Sequence, residues 1–318
     1  MLRFCKFYLR NRTNDFTFVQ LPGTKTLTIT IMSKPMTIAL TSHKGGTGKT
    51  TITWGLSTAL ARKGFRVLMV DLDEQGNLSQ SMGCKNPVKQ VAKMLRDFRN
   101  KGQTNITPEL SWNETLLRNV KPNLDLLPGG EYINEHELML SADRGVEKVL
   151  RHALDGYAQE YDFVFIDCPP TKQVMAYISL AAATHYIVPI QGENFAYQGL
   201  SSIYKLVNRV KEDYNPTLKL AGVILNRYRE NTVFGREILA ELENAAEITV
   251  FETRIRQSIS LMEATAVDKT IFEYDPESNG AVDFIALARE LCNQLDYHIP
   301  KGGKPTNEPS APALSKNV

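Results

Sequence analysis

The chain has four cysteines in 318 residues, and no two form a Cys-x-x-Cys pair. Cys5, Cys84, Cys168 and Cys292 stand far apart. That spacing argues against a zinc site or a secreted disulfide framework; reduced thiols of a cytoplasmic protein are expected instead. Long apolar runs are missing as well. No stretch of about 18 apolar residues occurs, so no transmembrane helix is expected. Residues 1–12 carry Arg3, Lys6, Arg10 and Arg12, but no long apolar segment with a small-residue cleavage site follows, so they do not read as a signal peptide. Excess charge is lacking too: 37 Lys and Arg against 35 Asp and Glu leave +2. Charge alone therefore does not announce nucleic-acid binding, and any basic surface must be local. No internal repeat is visible.

Apolar residues make up 42% of the chain and charged residues 23%, which supports a sizeable core. The length suits one large α/β domain with tails, or at most two domains. Residues 1–35 are basic and Thr-rich, with a strand-like stretch at 26–32. They read as a short accessory extension, or as a start codon placed too early. The periodic core pattern begins at Met36 and runs to 298. Residues 299–318 shift to Gly, Pro, Ser, Lys and Asn; they lack the apolar content to fold and are expected to be disordered.

Within the core, strand and helix patterns alternate, which predicts a mainly parallel twisted sheet with helices on both faces. Strands are expected at 36–42, 66–71, 124–127, 162–167, 186–190, 220–225 and 248–251. Helices are expected at 50–63, closed by Gly64, and at 88–99, 136–158, 173–183, 198–213, 233–245 and 281–296. The stretch 100–120 is polar and poorly periodic, and reads as a surface excursion.

Between the first strand and the first helix lies Lys44-Gly45-Gly46-Thr47-Gly48-Lys49-Thr50. Glycines let a backbone turn tightly and bring N–H groups close to phosphate oxygens. The following helix adds partial positive charge at its N-terminus. Lys49 is expected to reach the β- and γ-phosphates, the Thr50 hydroxyl to ligate Mg²⁺, and Thr51 to offer a second hydroxyl. Two strands end on carboxylates, Asp71 after RVLMV and Asp167 after DFVFI. Ligands bind beyond the carboxyl ends of parallel strands, so both acids should face the loop. Asp167 is expected to hold Mg²⁺ through water, and Asp71 is expected at the metal as well. Asp73, two residues beyond Asp71, is placed to orient an attacking water.

These motifs together resemble the ParA/MinD ATPases. Lys44, near the start of the loop, matches that family's deviant Walker A lysine. Asp71-Leu72-Asp73-Glu74-Gln75-Gly76-Asn77 is similar to its D-x-D-P-Q-G-N box, with Glu74 in place of Pro. Residues 161–170, 188–191 and 274–281 are also similar to typical ParA stretches, and the resemblance covers about 36–297. It implies a P-loop ATPase in which two subunits sandwich two ATP molecules, with Lys44 of one reaching the phosphates of the other and Asp73 assisting hydrolysis. It places Asn226 where many relatives read adenine. ATP and Mg²⁺ are the implied cofactors. Turnover is expected to be slow without a ParB-like centromere-binding or adaptor protein.

ParA relatives bind DNA without sequence preference as dimers, which requires surface cations. Lys205, Arg209, Arg227, Arg229, Arg254 and Arg256 are the candidates, with Lys211, Lys219 and Arg236 nearby. Arg256 stands where many relatives have Pro. The acids Asp283, Glu290 and Asp296 make 281–296 unlike an amphipathic membrane-binding helix, and no membrane partner is expected. The resemblance implies a cytoplasmic, nucleoid-associated partitioning ATPase for plasmid or chromosomal DNA. Two alternatives keep the same ATP site: an ATPase that positions a protein cargo such as a carboxysome or chemoreceptor cluster, and a nucleotide-locked regulator with negligible turnover.

Overall fold

A strand made of apolar residues throughout needs cover on both faces. Val67–Asp71 and Phe163–Asp167 are such strands up to their terminal aspartates, and all five residues of each are buried. The computed structural model describes residues 18–19, 27–28, 34–85, 87–103, 105–135, 145–169, 174–191, 196–229 and 249–297. Its strands are β1 (Phe18–Val19), β2 (Leu27–Thr28), β3 (Met36–Leu40), β4 (Val67–Asp71), β5 (Leu117–Lys121), β6 (Leu124–Leu127), β7 (Phe163–Asp167), β8 (His185–Gln191), β9 (Lys219–Tyr228) and β10 (Ile255–Arg256). Its α-helices are α1 (Lys49–Arg62), α2 (Asn77–Ser81), α3 (Val91–Arg99), α4 (Pro108–Thr115), α5 (Val149–Tyr157), α6 (Val174–Ala182), α7 (Ala196–Asp213), α8 (Ile259–Ala266), α9 (Ile271–Tyr274) and α10 (Asn279–Gln294).

β1 and β2 pair as a separate antiparallel ribbon. The other strands form one sheet in the order β10-β9-β8-β3-β7-β4-β6-β5. Its pairs are parallel except β5 with β6. From β3 the chain moves to β4 on one side, and later to β8 and β9 on the other. Such a reversal opens a crevice beyond the carboxyl ends of the strands, where ligands bind in open α/β sheets.

Each face of the sheet has its own core. On one face Trp112, Leu150, Ile178 and Val207 belong to a single apolar cluster. On the other, Leu56 of α1 and Phe284 and Leu287 of α10 are fully buried. A buried side chain of this size contributes about 1.5–3 kcal/mol relative to leaving it exposed. Close approach of α1 and α10 depends on Gly55, because a Cβ there would lie 2.4 Å from the Phe284 ring.

Residues 100–120, expected as a polar surface excursion, contain α4 and β5. Thr107 Oγ1 accepts from Leu110 N, Pro108 starts the helix, and Trp112 is buried and stacks on Tyr157. One large anchor holds this helix, so its apolar periodicity is faint. The expected helix at 88–99 begins only at Val91, since Gln90 is extended at φ −124° and ψ 154°. For 136–158, residues 136–144 lie outside the described residues; a 3₁₀ turn at Val146–Lys148 then leads into α5. The helix at 233–245 also lies outside the described residues. Of the strand at 248–251, Val250 makes an isolated bridge with Val223. The helices α2, α8 and α9 were not anticipated. On α10, Asp283 and Glu290 both hold neighbouring parts of the chain. Asp283 pairs with Arg256, and Glu290 accepts from the backbone N–H groups of Glu252 and Thr253.

Candidate nucleotide site

The loop from β3 into α1 turns where only glycine is comfortable. Gly46 and Gly48 have φ +77° and +92°. Gly48 is the N-cap of α1 and supplies no side-chain cap. The first-turn N–H groups therefore lack helical partners and form a ready anion site.

Ser42 organises the loop from within. Its hydroxyl donates to Lys44 O at 2.9 Å and accepts from Thr47 Oγ1 at 2.8 Å and Lys49 Nζ at 3.2 Å. Lys49 is buried, whereas Lys44, Gly45 and Gly46 are exposed and Thr47 is half-buried. Two carboxamides grip the loop from the neighbouring strands. Gln191 Nε2 donates to Gly46 O at 2.5 Å, and Asn226 Nδ2 donates to Thr47 O at 2.8 Å.

The two strand-end acids lie side by side at the carboxyl edge of the sheet. Asp71 and Asp167 are register partners at the ends of β4 and β7, and both are fully buried. Thr50 Oγ1 donates to Asp167 Oδ2 at 2.6 Å. Asp71 is tied into the protein instead: Oδ2 accepts from Ser79 N and Oγ, and Oδ1 from Asp73 N. Burial pushes the Asp167 carboxyl above the ordinary range, and the charge of Asp71 adds to the shift against the Thr50 hydrogen bond. Burial also raises Asp71, opposed by its bonds to Ser79. Asp73 is half-buried, and its Oδ1 accepts from Gln75 N at 3.0 Å. Thr51 borders a crevice with Trp54 and Leu261 between α1 and α8.

Two buried carboxyls side by side call for a cation. Asp167 Oδ1 is buried without a hydrogen-bond partner, which suits a metal or its water. Among the described residues no three His, Cys, Asp or Glu side chains converge as a metal cluster. A hard cation here needs the Thr50 hydroxyl and oxygens of a ligand as well, as Mg²⁺ takes beside phosphates. The donor set fits that ion. Sequence reasoning missed Ser42, Ser79 and Gln191. The position of Gln191 at a strand end was the available signal; nothing in the spacing marked Ser79 as the partner of Asp71.

The family model described as AAA domain matches residues 35–220. The sporulation initiation inhibitor protein Soj of Bacillus subtilis is 32% identical over 80% of this chain and 97% of its own length. The chromosome partitioning protein ParA of Myxococcus xanthus is 31% identical over 83% of this chain and 90% of its own. The chain belongs to the ParA/MinD family of ATPases. Among solved structures, cobyrinic acid a,c-diamide synthase from Mycobacterium smegmatis, with bound ATP analog and magnesium, superposes with a TM-score of 0.69. It is 28% identical, with 82% of this chain and 96% of that one covered.

In this ParA/MinD member the candidate DNA-contacting cations divide by environment. Lys205 and Arg209 are exposed on α7, and Arg209 Nη1 donates to Tyr177 OH at 3.3 Å. Arg227 and Arg229 are exposed just beyond Asn226, and Arg229 Nε donates to Gln257 Oε1. Arg254 lies 5.0 Å over the Tyr228 ring. Arg256 forms a bidentate ion pair with buried Asp283, its Nη2 at 2.6 Å from Oδ1. Arg236 lies outside the described residues. No helix among the described residues is long and apolar enough to cross a membrane.

Proposed function

We propose that this chain is a dimerising ATPase of DNA partitioning, in which ATP with Mg²⁺ binds at residues 44–51. The observation that carries the reading is the juxtaposition of Lys49, Thr50 and Asp167 at the start of α1, with one carboxylate oxygen left unpartnered. Mg²⁺, when bound, would neutralise charge on the phosphates, held by Thr50 and by Asp167 through water. Lys49, fixed by Ser42, supplies a positive charge at the loop. Helix α1 supplies its first-turn N–H groups to phosphate oxygens. Phosphoryl transfer asks mainly for such charge placement.

Asp73 follows the metal-facing strand end and orients the attacking water. Lys44, exposed on the loop, reaches the terminal phosphate of a second copy, so that hydrolysis requires the dimer. ATP then acts as the link between subunits, and its cleavage loosens them. The dimer binds DNA without sequence preference through Lys205, Arg209, Arg227 and Arg229, and a ParB-like protein stimulates turnover. The partitioning role draws its support from the names of the relatives Soj and ParA.

Phosphate release measured with and without DNA and the partner tests the reading. Lys49→Ala should weaken ATP binding about 10- to 100-fold, the loss of a charge-assisted hydrogen bond. Asp73→Ala should lower turnover about 100-fold or more while retaining ATP and DNA. Wild-type turnover in Asp73→Ala would reject the water-orienting role. Lys44→Ala should retain ATP and lose turnover; unchanged turnover would reject the crossing lysine.

A further inference from the structure

The loop is gripped from outside at two successive carbonyls, and this has a directional effect. The described residues contain no cis peptide bond. In a trans peptide the C=O and the following N–H point to opposite sides of the chain. Gly46 O shares its peptide plane with Thr47 N–H, and Thr47 O shares its plane with Gly48 N–H. Drawing both carbonyls toward Gln191 and Asn226 therefore turns both N–H groups away from those side chains. Successive N–H groups aimed to one side of a tight turn make an anion-binding concavity.

The two grips come from one feature of the sheet. Gln191 and Asn226 are register partners on the adjacent strands β8 and β9. Their carboxamides thus stand side by side at the carboxyl edge and meet adjacent carbonyls. Asn226 is 3% exposed, and a Cβ at Gly48 would lie 1.9 Å from its Nδ2, so the loop is seated directly on this side chain.

We infer that Gln191 and Asn226 are a paired latch: positioning residues whose carboxamides set two peptide planes of the loop so that its amides face phosphate. The inference rests on the nucleotide reading and deepens it. It assigns Gln191 a part in phosphate binding. It also gives Asn226 a role that is independent of the base.

Inorganic tripolyphosphate, which has no base, separates these roles. Calorimetric titrations with its Mg²⁺ complex, and with Mg·ATP and Mg·GTP, are compared for the wild type, Gln191→Met and Asn226→Leu. Both substitutions roughly keep shape and remove the N–H donor. Each should weaken tripolyphosphate and ATP by the same factor, about tenfold for one lost hydrogen bond. Amide exchange at Thr47 and Gly48 should quicken in each. If Asn226→Leu does not fold, Gln191→Met carries the same comparison. Tripolyphosphate affinity unchanged in the variants overturns the latch, as does a loss confined to ATP, which would make Asn226 a reader of the base. A wild type that binds neither ATP nor tripolyphosphate overturns the nucleotide reading itself, and the latch with it.

Discussion

Gly48 has room for a hydrogen atom and little else. Its φ of +92° is costly for any L side chain, and Asn226 occupies the space a methyl group would take. Gly48→Ala should therefore lower stability by about 1–3 kcal/mol in urea unfolding and disturb the loop at once. The buried thiols give a second check at this scale. Burial pushes Cys168 up to about 12 and Cys292 to about 11. The thiolate is the reactive form, so Ellman's reagent at pH 8 should leave both unmodified in the native chain and react with both in denaturant. Reaction of Cys168 in the native state would contradict the packing around β7. Lys49, Thr50 and Asp167 were legible as a set, because loop, helix start and strand end each carry a sequence signal. The grip of Asn226 on Thr47 was not. A hydrogen bond across 179 positions leaves no local pattern, and it depends on how β9 is staggered against β8.

At the scale of elements, short helices carry their stability in their ends. In α9 the Thr270 side chain accepts from Glu273 N, and the Glu273 carboxylate accepts from Thr270 N, a reciprocal cap. Thr270→Ala should cost about 1 kcal/mol in thermal unfolding. Burial alone would raise the Glu273 carboxyl. Lys121 at 2.8 Å and the Thr270 N–H override it and hold its pKa below the ordinary value. A carboxyl lowered in the folded state adds stability above its unfolded pKa and loses it as pH falls through the folded one. Glu273→Gln should thus be less stable than wild type at pH 7, with the gap closing as pH drops below about 4. A gap that widens toward acid would refute the lowered pKa. The central strands β4 and β7 were readable as apolar runs. Among the elements that escaped, α4, α8 and α9 are each held by a side-chain cap and a few anchors, and offer too few turns for a period to show.

For the whole molecule, the proposed DNA partner is tested by separating the cations that are free to meet a phosphate backbone from those held by the fold. Arg256 spends its charge on buried Asp283, whereas Lys205 is exposed on α7. Lys205→Glu should weaken DNA co-sedimentation of the ATP-bound protein and reduce the slope of log affinity against log salt by about 1. Arg256→Ala should instead act on folding, because it strands a carboxylate that is 6% exposed. If both variants lose DNA equally while remaining equally stable, this division of the cations is wrong. The layered architecture was legible from alternating patterns. The strand order was not, since β7 inserts between β3 and β4 from far along the chain.

The margins of the sheet have a consequence for how copies of the chain meet. At one margin β10 is two residues long and stapled to α10 by its arginine. At the other, β5 carries Arg118, bonded to Glu160, and Lys121, bonded to Glu273. Neither offers the long, flat, uncharged row of backbone groups on which a neighbouring chain zips strand to strand. Crowded copies should therefore resist fibril growth through this sheet.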